Sequence, residues 1–365
     1  MMLSPAEVSI AGEARVPSPS RRGVWVVAAL AVLLVVVVLA SCLVGSVAIS
    51  LGQVTALLLE KAGVATSVGT SDSQAQVLFA IRLPRILLGA LVGAGLGLSG
   101  ASMQGIFRNP LVDPGLLGVS SGAALGAVAT IVLGAKLAPA TPPWIAPYAL
   151  PVAAFLGALA SMMAIERISS VGGRMVIGML LLAGIAVNAL AGSLTGLLIY
   201  AANDVQLRTI TFWSLGSLGG ATWRTALVTC AFVGVPLLVL ARFGRPLNAL
   251  LLGEAEAGHL GIEVERAKRS IVVLVALVVG SSVAVAGVLG FVGLVVPHLL
   301  RLAVGPDHRL LLPGSALLGA SLLLGADTVA RTLLSPAELP LGIVTASLGT
   351  PFFVALLVRE RRRLV

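Results

Sequence analysis

The stretch RILLGALVGAGLGLSGASMQGIFRNPLVDPGLLGVSSGAALGAVATIVLG, residues 85–134, decides how the chain is read. Two apolar runs, 83–106 and 116–134, flank a short polar turn holding Arg108, Asn109 and Asp113. Each run approaches the ~20 residues an α-helix needs to cross hydrocarbon. Their many Gly, Ala and Ser residues suit close backbone approach, the way helices associate where lipid removes the hydrophobic drive. In water such a pair would expose a large apolar patch and aggregate. The stretch reads as a membrane hairpin.

The same pattern extends in both directions. Ten spans are predicted, at 24–47, 83–106, 116–134, 147–165, 175–200, 224–241, 270–289, 291–303, 311–333 and 341–358. The chain is 58% hydrophobic and 11% charged, against about 25% charged for a soluble domain; its mean hydropathy is +1.07. The fold class expected is all-α and polytopic. Residues 1–22 form a polar tail ending in Arg21-Arg22, residues 23–358 the membrane domain, and residues 359–365 a basic C-terminus. Leu39-Ala40-Ser41-Cys42 looks like a lipoprotein cleavage box, but the apolar run continues to Ile49. That is longer than a signal core, so an uncleaved first span is expected, with a cleaved signal as the alternative. Cys42 and Cys230 both fall in apolar segments and read as small buried hydrophobes, not a disulfide.

The net charge of +9 has no basic polar domain to carry it, which argues against nucleic acid. Topology accounts for it instead. With both termini in the cytoplasm, 17 of the 24 Lys and Arg lie inside, as the positive-inside rule requires. Arg82, Arg85 and Arg331 are among the outside exceptions and need a reason. The expected location is the inner (cytoplasmic) membrane.

Three connections are long enough to act. Residues 50–75 and 203–219 are predicted outside, the latter a short surface helix with Asp204 as N-cap. Residues 242–269 lie inside and read as two short helices. Pro246 suits a first turn, Leu247, Leu250 and Leu251 share a face, Gly253 interrupts, and Gly261 ends the second helix. Glu254, Glu256, Glu263 and Glu265 would be repelled by anionic lipid, so this loop is expected to meet a protein.

No phosphate loop, HExxH or GxSxG motif is present, and His259, His298 and His308 are scattered. No catalytic residue, metal site or cofactor is therefore predicted. Asp327, the one acid placed inside a late span, stands four residues before Arg331 and should pair with it. Ser99, Gln104 and Asn188 are polar within spans and either hydrogen-bond between helices or line a path.

Several stretches together resemble the FecCD-type permeases of ABC importers, which carry ferric siderophores, haem or cobalamin. They are RLPR (82–85), GASMQGIFRNPLVDPGLLGVSSGAALG (100–126) and LNALLLGEAEAGHLGI (247–262). They continue with AGVLGFVGLVVPHLLRLAVGPDHRLLLPG (286–314), ADTVART (326–332) and PAELPLGIVTASLGTPFF (336–353). The resemblance implies the type II importer permease fold, with spans two to five and seven to ten as an inverted repeat. It implies a homodimer with its path on the two-fold axis, two copies of an ABC ATPase subunit inside, and an extracytoplasmic substrate-binding protein outside.

Residue by residue, it implies ATPase coupling at Leu247, Leu250, Leu251, Gly253, Glu254, Leu260 and Gly261. It implies binding-protein docking at Arg82, Arg85 and Arg331. The stretch 180–223 looks most like haem permeases, which ranks haem first, a ferric siderophore second and cobalamin third. Arg208 is placed near the outer mouth, where its fork could meet haem propionates; the alternative is a helical pair with Asp204. Gln104 and Asn188 are the other candidate path residues. An ion-driven carrier is the competing class.

Overall fold

The computed structural model describes residues 20–45, 47–137 and 148–364. Most of the predicted tail 1–22, Ser46, the stretch 138–147 and Val365 lie outside the described residues.

Helix α1 (Arg21–Leu43) starts behind Ser20, whose hydroxyl accepts from the Gly23 N–H at 3.1 Å. Short α2 (Leu51–Lys61) and α3 (Asp72–Gln76) each open with a Ser capping box. From α3 the chain runs without a break through a π-helical turn, residues 77–82, into α4 (Leu83–Phe107). The second span is therefore longer at its N-terminal end than the run from Leu83 indicates, because polar α3 and the π turn, apolar up to Arg82, extend it. Next come α5 (Val119–Leu137), α6 (Ala149–Ser169), a hairpin of β1 (Ser170–Val171) and β2 (Arg174–Met175), and α7 (Ile177–Tyr200). A surface helix, α8 (Asp204–Ser214), precedes the sixth span, built from α9 (Trp223–Thr229), a π turn and α10 (Val235–Leu240). Then follow α11 (Gly244–Leu252), α12 (Glu254–His259), α13 (Val264–Ala286), α14 (Val292–Val304), α15 (His308–Thr332) and α16 (Leu341–Leu364).

Seven of these helical stretches are long and apolar enough to cross a membrane, and the shorter apolar helices at 119–134, 292–304 and 341–355 complete ten among the described residues. Crossing alternately, they put α11, α12, the β1–β2 hairpin and the α14–α15 turn on one face. Helices α2 and α8 and residues 333–340 fall on the other.

Helix α4 lies at the centre and is buried along nearly its whole length. It packs on α15 and α14, while α13 packs on α6 and α5. The second span thus meets the ninth and eighth as the seventh meets the fourth and third. Glycine makes the α4–α15 crossing possible. A methyl on Gly93 would run into the carbonyl oxygen of Gly319, and one on Gly319 into that of Gly93. With no side chain between them, α4 and α15 touch backbone to backbone, gaining the dispersion contacts that hold membrane helices together.

Two expectations need correction. Asp204 is the first residue of α8, and Asn203 is its cap: Asn203 accepts from the Gln206 N–H at 2.9 Å while the Gln206 side chain accepts from the Asn203 N–H at 3.0 Å. Cys230 is exposed, because it lies beside the buried stripe of Ala226, Thr229, Val233, Pro236 and Leu240 and not on it; Cys42 is buried as expected, and neither forms a disulfide.

Candidate functional site

The α11–α12 loop is built as two helices with a glycine after each. Gly253 (φ +138°) and Gly261 (φ +82°) take backbone conformations that a side chain disfavours. Ile262 N–H reaches back to the Ala257 carbonyl at 3.0 Å, closing α12 with a left-handed C-terminal turn.

The loop residues singled out from sequence divide into two groups. Leu247 and Leu250 are fully buried and face the bundle, Leu247 lying against α4 at Gly105. They anchor the loop. Leu251, Leu260 and Glu254 face outward, and so does Leu252, which the reading of the sequence missed: Leu252 is 66% and Leu260 62% exposed. Two exposed leucines flanking an acidic helix form a surface suited to a protein partner.

The base of the loop is clamped to the α14–α15 turn. Asn248 accepts from the His308 N–H at 2.8 Å and donates to Asp307 at 2.7 Å. Asp307 also caps α15 and pairs with Arg309 at 2.8 Å. Hydrogen bonds from the Arg309 guanidinium hold the Asp307 carboxyl down to about 2. A depressed carboxylate pKa stabilises above the unfolded value of ~3.9 and is lost only as pH falls through about 2. This clamp is therefore fully ionised at neutral pH.

On the opposite face, the three arginines predicted to project do not project. Arg82 is 3% exposed and donates to the carbonyls of Cys42, Leu43 and Val47. It closes the C-terminal end of α1, where unpaired carbonyls favour a cation. Arg85 is 7% exposed and forks between Asp327 and Glu338, each at 2.9 Å. Arg331 pairs with Asp327 at 3.1 Å, the i, i+4 pair expected, and approaches the Ser41 and Val44 carbonyls at 3.5 Å. The sequence shows the arginines but not the carbonyls and carboxylates that converge on them. Glu338, 45% exposed at its side chain, is the member of this network open to a partner.

The three path candidates are scattered. Gln104 is 1% exposed, between α4 and α14, and donates to the Leu294 carbonyl at 3.3 Å. Asn188 on α7 is half-buried beside Gly118. Arg208 is exposed on α8, and no ion pair to Asp204 forms among the described residues. The described residues hold no group of three or more His, Cys, Asp or Glu that could bind a metal ion.

A model of the FecCD transport family matches residues 33–359. A hemin transport system permease protein of Yersinia pestis is 50% identical over 295 residues, covering 80% of this chain and 86% of that protein. A cobalamin import system permease protein of Halobacterium salinarum is 44% identical over 293 residues, covering 80% and 76% respectively. A vitamin B12 import system permease protein of Escherichia coli is 45% identical over 282 residues, covering 77% and 83%. Among solved structures, a metal-chelate type ABC transporter in an inward-facing conformation superposes with a TM-score of 0.79 and 34% identity. It covers 92% of this chain and 99% of the solved one.

Proposed function

Because the chain belongs to the FecCD transport family, as a multi-pass membrane permease subunit of an ABC importer, we propose that it forms the path by which haem enters the cell. It is a transport subunit, not an enzyme; permeases of this family dimerise and work with separate ATPase partners. The observation that carries haem is the 50% identity to a hemin permease over most of both chains.

Both termini lie in the cytoplasm in this reading. The α11–α12 loop meets the ATPase through Leu251, Leu252, Glu254 and Leu260, while Leu247, Leu250, Gly253 and Gly261 set its shape. A substrate-binding protein docks on the face of α2, α8 and residues 333–340. There Arg82, Arg85 and Arg331 hold the rim in shape from beneath, and Glu338 is available at the surface. The second copy packs against the exposed apolar side of α7, which carries Leu182, Ile185, Leu190, Leu194 and Leu197.

Arg208 is the path residue with the clearest expected behaviour. Its side chain is exposed and free of Asp204, so Arg208→Ala should change stability by less than about 0.5 kcal/mol. Haem uptake should nevertheless slow by about tenfold to a hundredfold, what losing a charge-assisted contact of roughly 1.5–3 kcal/mol gives. A fall in stability parallel to uptake, mimicked by Asp204→Ala, would assign Arg208 a structural role.

The cargo is tested by loading the cognate binding protein with haem, a ferric siderophore or cobalamin and measuring stimulated ATP hydrolysis by the reconstituted complex. Haem should stimulate most. Stimulation by cobalamin or a siderophore but not haem would overturn the choice of cargo.

A further inference from the structure

Beneath the α11–α12 loop lies a lysine that no motif marked. Lys268, in the first turns of α13, is 1% exposed. Its ammonium has three N–H donors and meets three acceptors: the Met175 carbonyl at 2.8 Å, Glu254 at 3.0 Å and Glu265 at 2.7 Å. Glu265 also accepts from the Met175 N–H at 2.7 Å. The Met175 peptide is thus held at both its N–H and its carbonyl. Each acceptor belongs to a different element: Glu254 opens α12, Glu265 lies in α13, and Met175 ends the β1–β2 hairpin. Val176, the next residue, is the N-cap of α7.

We infer that Lys268 is the positioning residue that carries movement of α12 into the base of α7, and so ties the ATPase-facing loop to the helix whose exposed face meets the second copy. The inference rests on the proposed docking of α11–α12 to the ATPase. The physical reason is the stiffness of the joint. A buried ammonium saturated by two carboxylates and a carbonyl cannot let one partner go without leaving a charge or a polar group unpaired. Displacement of Glu254 therefore pulls on Met175 rather than slipping past it. The loop is gripped a second time, through Asn248, at the start of α15. A force on the loop reaches α7 by one joint and α15 by the other.

A neighbouring ion pair supplies the control. Arg269 pairs with Glu166 at 2.9 Å and joins α13 to α6 without touching α12. If Lys268 only glued helices together, losing either pair would act alike.

The experiment uses the complete importer with its ATPase and binding protein in proteoliposomes. Lys268→Met keeps the length of the side chain and removes the charge, and Glu254 and Glu265 are exposed enough to be hydrated in its absence. The ATPase should still co-purify and hydrolysis should stay within about twofold of wild type, while cargo moved per ATP falls about tenfold. Lys268→Arg should recover part of the ratio, and Arg269→Ala should leave it unchanged. Glu265→Gln, which weakens the hold on Met175 and leaves Glu254 in place, should lower the ratio by a smaller factor and serves if Lys268→Met does not fold. A wild-type ratio in both Lys268→Met and Glu265→Gln overturns the inference. So does an equal fall in Arg269→Ala that tracks thermal stability. Failure of the wild-type permease to retain the ATPase would instead refute the docking of the loop, and the two failures are read from different measurements.

Discussion

Asp327→Ala should cost the permease about 3–5 kcal/mol, the penalty for removing one partner of a buried ion-pair network. Asp327 is 3% exposed and stands between two guanidiniums, Arg85 at 2.9 Å and Arg331 at 3.1 Å. Without it, Arg85 keeps only half-exposed Glu338, and Arg331 keeps only distant carbonyls at 3.5 Å. Arg82 is close by and committed to the end of α1. Three positive charges would then share one carboxylate. The thermal midpoint of the solubilised permease and its yield as a single species should both fall sharply. Glu338→Ala, at a site 45% exposed, should cost no more than about 1 kcal/mol because water solvates what is left. If Asp327→Ala kept full stability and changed only capture of the binding protein, the arginines would be docking charges as the resemblance implied, and their burial would be incidental.

The second large effect is at the loop. Leu252→Asp with Leu260→Asp should abolish retention of the ATPase subunit. Each leucine is more than 60% exposed, so the permease itself should fold and melt as before. At a partner interface, a buried leucine replaced by a charge loses its apolar contact and forces a carboxylate out of water. A central anchor is worth about 2 kcal/mol or more, so the pair should weaken association well over tenfold. Leu247→Asp separates the two roles, because Leu247 is fully buried and should damage folding first. Undiminished co-purification of the ATPase with the doubly substituted permease would refute the assignment of this face.

The sequence was most legible where one physical rule dominates. Apolar runs marked the ten crossings, since the bilayer sets their length, and α14 is as short as its run at 291–303 suggests. Gly261 was readable as a helix terminator because few other residues take φ +82° without strain. The Asp327–Arg331 pair followed from i, i+4 spacing alone. What was not legible depends on contacts between distant segments. Nothing local to RLPR reveals that Arg82 ends against the Cys42 and Val47 carbonyls, about forty residues away in the chain. Leu247 and Leu251 look alike on a helical wheel, yet one packs on α4 and the other faces out. Lys268 sits among Arg266 and Arg269 in a stretch that reads as a solvated basic helix start. Neither its burial nor its grip on Glu265 and Met175 can be read from spacing.

In the proposed function, the permease moves haem only when an ATPase drives it. The direct measurement is uptake into proteoliposomes holding the permease, its ATPase and the haem-loaded binding protein, with ATP inside, against matched vesicles without ATP or without the ATPase. Haem should accumulate in the complete, ATP-supplied vesicles and not above background in the others, with or without a proton or sodium gradient. Uptake by the permease alone on an ion gradient would contradict that function.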